Sequence, residues 1–164
     1  MRISVIGLGK LGSPLAACLA AKGFTTIGVD RNEAYVEAIN DGRAPVYEPQ
    51  LAEMIAEGHS CLTATGDVAR AVEETDATFV IVPTPSEEDG SFSLRFVLDA
   101  VEAIGRALKT KQTYHLVVLT STVMPGSTKA PGVQGPLQSA AYLVVGVISQ
   151  RVPIPVGVVL VAVF

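Results

Sequence analysis

The sequence predicts a doubly wound α/β fold, a parallel sheet with helices on both faces. Three observations carry this. An apolar run at residues 3–6 leads into Gly7-Leu8-Gly9-Lys10-Leu11-Gly12, and a second run at residues 25–29 ends in Asp30. Residues 77–82 are almost continuously apolar, as suits a central parallel strand buried on both faces. Segments with helical spacing separate such runs, and strand–helix alternation implies right-handed βαβ units in one sheet.

Each element follows from local chemistry. The first helix starts at Gly12 and tolerates Pro14 in its first turn. Leu15, Leu19 and the alanines around them form its expected apolar face, Cys18 reads as a small buried residue of that helix, and Gly23 ends it. After the second strand, Asn32 can cap a helix bearing Val36 and Ile39, which Gly42 closes. A loop at residues 44–49 precedes a short helix with Leu51, Met54 and Ile55, and residues 62–65 form a short third strand. Asp67 can cap a helix carrying Val68, Ala71 and Val72. Pro83-Thr84-Pro85 stops the central strand, and residues 86–91 form a polar loop. Leu94, Val97, Leu98, Val101, Ile104 and Leu108 recur at helical spacing, the clearest helix in the chain. Residues 115–119 form the next strand, which runs into Thr120-Ser121-Thr122.

In sheets of this kind ligands bind beyond the carboxyl ends of the strands, where the strand order reverses. The loops at residues 7–12, 83–85 and 121–125 all fall there. The first is the dinucleotide-binding fingerprint of a Rossmann fold in its expected context of strand, turn, helix, strand and acid. Gly7 allows the tight turn, Gly9 lets the backbone approach a pyrophosphate, and Gly12 lets helix and strand pack closely. The helix N-terminus offers N–H groups to the phosphates, and Asp30 stands where a carboxylate accepts from ribose hydroxyls. The competing reading is a glycine-rich turn that binds nothing. Arg31, beside Asp30, would suit a 2′-phosphate, but Asp30 would repel one, which favours NAD over NADP.

Bulk properties narrow the rest. The net charge of −4 disfavours nucleic acid or an anionic membrane as partner. The two cysteines, Cys18 and Cys61, form neither a Cys-x-x-Cys pair nor a disulfide framework, and no metal-ligand spacing exists. The amino terminus enters a strand at once, so no signal peptide is expected, and a reducing cytoplasm is the expected location.

Composition divides the chain at about residue 129. Every Asp and Glu lies before residue 103, and beyond residue 128 only Lys129 and Arg151 are charged. Three readings compete for this Val-, Gly- and Pro-rich tail. A membrane anchor is opposed by Arg151, Pro153 and Pro155, and its last clean run falls short of the ~20 residues a spanning helix needs. The others are strands completing the sheet, from residues 143–148 or 156–163, and foreign sequence from a frameshift or wrong junction. Residues 1–128 are the expected cofactor domain, and 129–164 a tail outside it.

The ordered motifs resemble the NAD-binding half of the UDP-glucose/GDP-mannose dehydrogenase family. The matching pieces are Gly7 to Gly12, Val29-Asp30, Tyr47-Glu48-Pro49-Gln50-Leu51, Val82-Pro83-Thr84-Pro85, and Ser121-Thr122-Val123-Met124-Pro125-Gly126-Ser127-Thr128. Other Rossmann dehydrogenases, such as the 3-hydroxyacid type, share the glycines and are not expected to share the rest. The resemblance implies an intact, homo-oligomeric enzyme that uses two NAD to oxidise the C6 alcohol of a nucleotide sugar to a carboxylate, with the aldehyde level held on a cysteine. By the same resemblance Lys10 and Leu11 offer backbone N–H groups to the pyrophosphate and Asp30 holds the ribose. Thr84 lines the cofactor, and Thr122 lies near the nicotinamide, where it orders a catalytic water. Without the resemblance, turn chemistry accounts for both threonines.

Two departures matter. Some relatives carry a basic residue five places after the ribose acid, where this chain has Tyr35. The family's continuation, with its substrate loop, dimerisation helix, sugar-binding domain and nucleophilic cysteine, is expected to be missing, so the chain reads as C-terminally truncated. Neither Cys18 nor Cys61 matches the nucleophile, and His59 and His115 match no general base and read as solvated or packing residues. An NAD-binding module without turnover is therefore the alternative to an active dehydrogenase. A membrane-tethered regulator is a weaker third.

Overall fold

A computed structural model describes residues 1–88, 90–122 and 158–159. Five strands, β1 (Arg2–Ile6), β2 (Thr25–Val29), β3 (Leu62–Thr65), β4 (Ala77–Val80) and β5 (Leu116–Leu119), are joined by β6 (Val158–Val159). The order is β3-β2-β1-β4-β5-β6, and every pairing is parallel. The order reverses between β1 and β4, where the first crossover series ends and the chain returns to the other side of β1. This is the doubly wound sheet the alternation predicts, and its switch point lies at the carboxyl end of β1.

The helices are α1 (Gly12–Ala21), α2 (Glu33–Asn40), α3 (Leu51–Gly58), α4 (Val68–Glu74) and α5 (Arg95–Leu108). Their starts use the expected chemistry. Asn32 accepts from the Ala34 amide at 3.1 Å and Asp67 from the Arg70 amide at 3.1 Å, each satisfying a first-turn donor that the helix itself leaves free. Burial divides into two layers. Val5, Leu8, Ala16, Ala20, Ile39 and Ile55 pack on one face of the sheet. Ile6, Val80, Val97, Val101, Ile104 and Val117 pack on the other. The periodic apolar face of α5 supplies much of the second layer, and each large side chain removed from water there contributes about 1.5–3 kcal/mol.

Two expectations for α1 need correction. Its fully buried stripe is Ser13, Ala16, Ala17 and Ala20, whereas Leu15 and Leu19 are only partly buried at its edges. The small residues are required because α1 lies close against α3. A side chain at Gly58 of α3 would come within 2.8 Å of the Ala20 Cβ. Cys18 is exposed rather than buried, because it sits on the opposite side of α1 from positions 13, 16, 17 and 20.

Beside β5, Val117 pairs with Val158 and Val118 with Val159. A strand expected within residues 156–163 is therefore present over two of them. The run at 143–148 and the motif residues 123–128 lie outside the described residues. Among the described residues no helix is long and apolar enough to cross a membrane.

Candidate functional site

The glycine loop leaves β1 at the switch point. The Gly7 amide donates to the Val29 carbonyl at 2.7 Å, tying the turn to the end of β2. Gly7 has φ +98°, and a Cβ there would lie 2.0 Å from the Ile81 carbonyl oxygen. A Cβ on Gly12 would lie 1.7 Å from the Gly7 oxygen, so the start of α1 sits directly against the turn. Gly9 differs, because a Cβ there would meet nothing within 4 Å. The space over Gly9 is open, and the neighbouring Lys10 amide has no acceptor among the described residues. Open space beside a free donor at the start of a helix can receive an anion. Ser13 is fully buried and donates to the Leu8 carbonyl at 2.5 Å, pinning the loop from beneath.

Asp30 closes the loop from the β2 side. Its Oδ2 accepts from the Leu8 amide at 2.6 Å and its Oδ1 from the Asn32 amide at 2.8 Å. An ionised carboxylate has about four acceptor positions. Two are used by the backbone, which fixes the rotamer and leaves each oxygen able to accept again.

A cleft of about 520 Å³ runs along this end of the sheet. It is lined by Gly7, Gly9, Lys10, Leu11 and Gly12 of the glycine loop, by Asp30, Arg31 and Tyr35 after β2, and by apolar groups that include Val82, Pro83, Phe96, Ala100 and Ala103. The apolar wall and the few polar groups on the opposing loop match the general character of small-molecule sites. Two of its lining residues pair with each other: the Arg31 guanidinium lies 3.1 Å from the Asp99 carboxylate of α5, both exposed to solvent.

The other two loops meet beside the cleft. Ser121 is buried, and its hydroxyl accepts from the Val82 amide at 3.0 Å and donates to the Val82 carbonyl at 2.9 Å. The segment after β4 is therefore strapped to the segment after β5. Thr84 is half-buried and Thr122 exposed on these segments, and neither lies on the walls of the cleft. The residues that motif reasoning brought together are thus Gly7, Gly9, Lys10, Leu11, Gly12 and Asp30. Sequence reasoning missed Phe96 and Asp99, whose only signal was their place on a helix with a strongly apolar opposite face.

The strongest titration effects lie elsewhere. His115 is fully buried at the amino ends of the strands, where its Nε2 is 2.8 Å from the Thr78 hydroxyl and its Nδ1 3.0 Å from the Thr75 carbonyl. The Lys111 ammonium also lies 3.1 Å from Nδ1, so the ring is held by a hydroxyl, a carbonyl and a cation. Burial, reinforced by the Lys111 charge, pushes its pKa down to about 4. Lys111 donates to the Val72 carbonyl at 2.6 Å and to the Thr75 carbonyl, covering the end of α4. His115 is a packing residue, as expected. His59 is exposed, and Cys61 is half-buried beside β3. Among the described residues no group of three His, Cys, Asp or Glu is placed to hold a metal ion.

The chain is 40% identical over 129 residues to GDP-mannose 6-dehydrogenase of Pseudomonas savastanoi pv. phaseolicola, which covers 77% of this chain and 30% of that enzyme. It is 43% identical over 129 residues to UDP-glucose 6-dehydrogenase AglM of Haloferax volcanii, covering 78% of this chain and 30% of the relative. Among solved structures, GDP-mannose dehydrogenase of Pseudomonas aeruginosa, crystallised as a ternary complex, superposes with TM-score 0.82 at 33% identity, over 98% of this chain and 36% of the other. UDP-glucose dehydrogenase of Pyrobaculum islandicum superposes with TM-score 0.81 at 37% identity, over 97% and 35%. The chain thus spans about a third of the length of these relatives. Residues 1–140 match the model of the UDP-glucose/GDP-mannose dehydrogenase family, NAD binding domain, and the chain belongs to that family.

Proposed function

We propose that the cleft holds NAD, and that this chain is the cofactor-binding portion of a nucleotide-sugar 6-dehydrogenase. The observation that carries the reading is the pairing of open space over Gly9 with an Asp30 carboxylate already oriented by the Leu8 and Asn32 amides. The Lys10 and Leu11 amides, with Gly9 and Gly12, receive the pyrophosphate. Asp30 accepts from the adenosine ribose hydroxyls, and its charge opposes a 2′-phosphate. The apolar wall with Phe96 and Ala100 takes the adenine side of the cleft and excludes water from it. Thr84 and Thr122 extend the site beyond the cleft towards the reacting end, where Thr122 is the candidate for positioning a water. The bound nicotinamide supplies a hydride acceptor.

Oxidation of a sugar alcohol also needs an oriented substrate and a base. Among the described residues the cleft holds no cysteine, and its two carboxylates, Asp30 and Asp99, are engaged by the loop amides and by Arg31. The 164-residue chain therefore binds cofactor without turning over UDP-glucose or GDP-mannose. Sustained formation of NADH from either sugar nucleotide by purified chain would overturn this. Calorimetric titration with NAD and NADP tests the cofactor reading. NAD should bind more tightly, and the Asp30→Ala variant should lose at least about tenfold in affinity, or 1.4 kcal/mol.

A division near residue 129 is part of the same proposal, with the acid-free tail arising from a shifted reading frame. The support is compositional: sixteen acidic residues lie before residue 103, and none follows. Family sequence in another frame of the adjacent DNA is the expected result, and its absence would remove the account.

A further inference from the structure

Arg31 is the cation that adjoins the ribose acid, and it is where a 2′-phosphate would find a partner. A guanidinium is suited to that task because its fork of donors matches phosphate oxygens. Yet Arg31 is paired with another acid of the cleft lining, its Nη2 lying 3.1 Å from Asp99 Oδ2. The two residues come from different parts of the chain, 68 positions apart, one following β2 and the other on the second turn of α5. Both line the same cleft as Asp30. Among the described residues the other cation of the cleft lining is Lys10, which belongs to the glycine loop. The neighbouring Arg95 is engaged over the Phe96 ring, 4.6 Å from its centroid.

We infer that Asp99 is a cofactor-selectivity residue, which by pairing with Arg31 withholds that guanidinium from a 2′-phosphate. The inference rests on the NAD reading above and adds to it a second source of discrimination. Asp30 acts by direct repulsion. Asp99 acts by occupying the group that would otherwise reward the wrong cofactor. Selectivity is a difference of affinities, and removing an attraction for the competitor serves it as well as adding one for the proper ligand. An exposed ion pair contributes only about 0–1 kcal/mol to stability, so it can be removed without threatening the fold. It still neutralises the local positive charge that a dianionic phosphate would seek.

The test is a set of titrations of NAD and NADP against the wild-type chain, Asp99→Asn, and the double variant Arg31→Ala/Asp99→Asn, at low and high salt. Asp99→Asn should raise the ratio of NADP to NAD affinity at least threefold at low salt. The gain should shrink at high salt, as screening weakens an exposed charge contact. The double variant should return to the wild-type ratio, because it has neither the guanidinium nor the carboxylate. An unchanged ratio in Asp99→Asn, with NAD still bound, overturns the inference alone. A gain that persists in the double variant also overturns it, because Arg31 would then play no part. Failure of the wild-type chain to bind NAD overturns the cofactor reading and the inference together. Thermal melts of each variant identify any loss of binding that follows from unfolding.

Discussion

The amide of Leu8 donates to Asp30 Oδ2 at 2.6 Å, joining the glycine loop to an acid 22 residues further on. Leu8 is fully buried, so its N–H has no water to turn to. The ribose acid is therefore a structural member of the loop as well as a candidate ligand. Replacing Asp30 with Ala should lower stability by about 1–3 kcal/mol, the cost of leaving buried donors unmade. Asp30→Asn retains acceptor capacity through its amide oxygen and should recover part of the loss. Chemical denaturation of both variants checks this. Equal stability of Asp30→Ala and wild type would show that the Leu8 contact does not hold the loop.

Two of the fingerprint glycines, Gly12 and Gly9, should separate cleanly by mutation. At Gly12 an added methyl group meets the Gly7 backbone at 1.7 Å, so Gly12→Ala must move α1 and should cost about 3 kcal/mol or more. At Gly9 the methyl group meets nothing. Gly9→Ala should leave stability within about 1 kcal/mol and weaken NAD at least about tenfold, by filling the space the pyrophosphate needs. Melting curves and NAD titrations distinguish the two. Similar behaviour of both variants would contradict the assigned roles.

His115 gives the fold an acid-sensitive element. Its folded-state pKa of about 4 lies below the usual value near 6.5, because burial disfavours the charged ring. Above about pH 6.5 the ring is neutral in both states, and its contribution is fully present. As pH falls from 6.5 towards 4 the unfolded chain takes up a proton that the folded chain refuses, so stability declines across that window. The total loss is of the order of 3 kcal/mol. Asp76, whose carboxylate accepts from the Arg2 amide at 2.7 Å, also has a lowered pKa. Its contribution is lost only as pH falls below about 4, so the two groups separate. Urea midpoints measured from pH 7.5 to 4 should fall for wild type and flatten in His115→Gln. An unchanged slope in the variant would assign the acid sensitivity elsewhere.

Gln50, before α3, has φ +63°, the left-handed region that favours glycine. A side chain there costs about 1–2 kcal/mol, partly offset by the extra entropy glycine loses on folding. Gln50→Gly should therefore raise stability by about 0.5–1 kcal/mol. A lower melting temperature would show that the Gln50 side chain makes a compensating contact.

Much of this architecture is legible in the sequence because its signals are local. The fingerprint from Gly7 to Gly12, the caps at Asn32 and Asp67, and the apolar spacing of α5 each depend on residues within a few positions of one another. What escaped depends on partners far apart in the chain. The burial of alanines rather than leucines on α1 follows from its contact with Gly58 of α3, and Cys18 is exposed as a consequence. The strap from Ser121 to Val82 spans 39 positions, and the pairing of His115 with Thr78 spans 37. Neither has a spacing rule. Asp99 carries no motif at all, and its importance appears only when α5 brings it to Arg31.

The central claim is that the space over Gly9, flanked by the loop amides and Asp30, is a site for NAD. The most direct test is calorimetric titration of the 164-residue chain with NAD and with NADP, repeated for Asp30→Ala. The account predicts saturable one-to-one binding of NAD, weaker binding of NADP, and a loss of at least about tenfold in NAD affinity for a variant whose fold is confirmed by circular dichroism. No binding of NAD, equal or tighter binding of NADP, or NAD affinity unchanged in folded Asp30→Ala would contradict it.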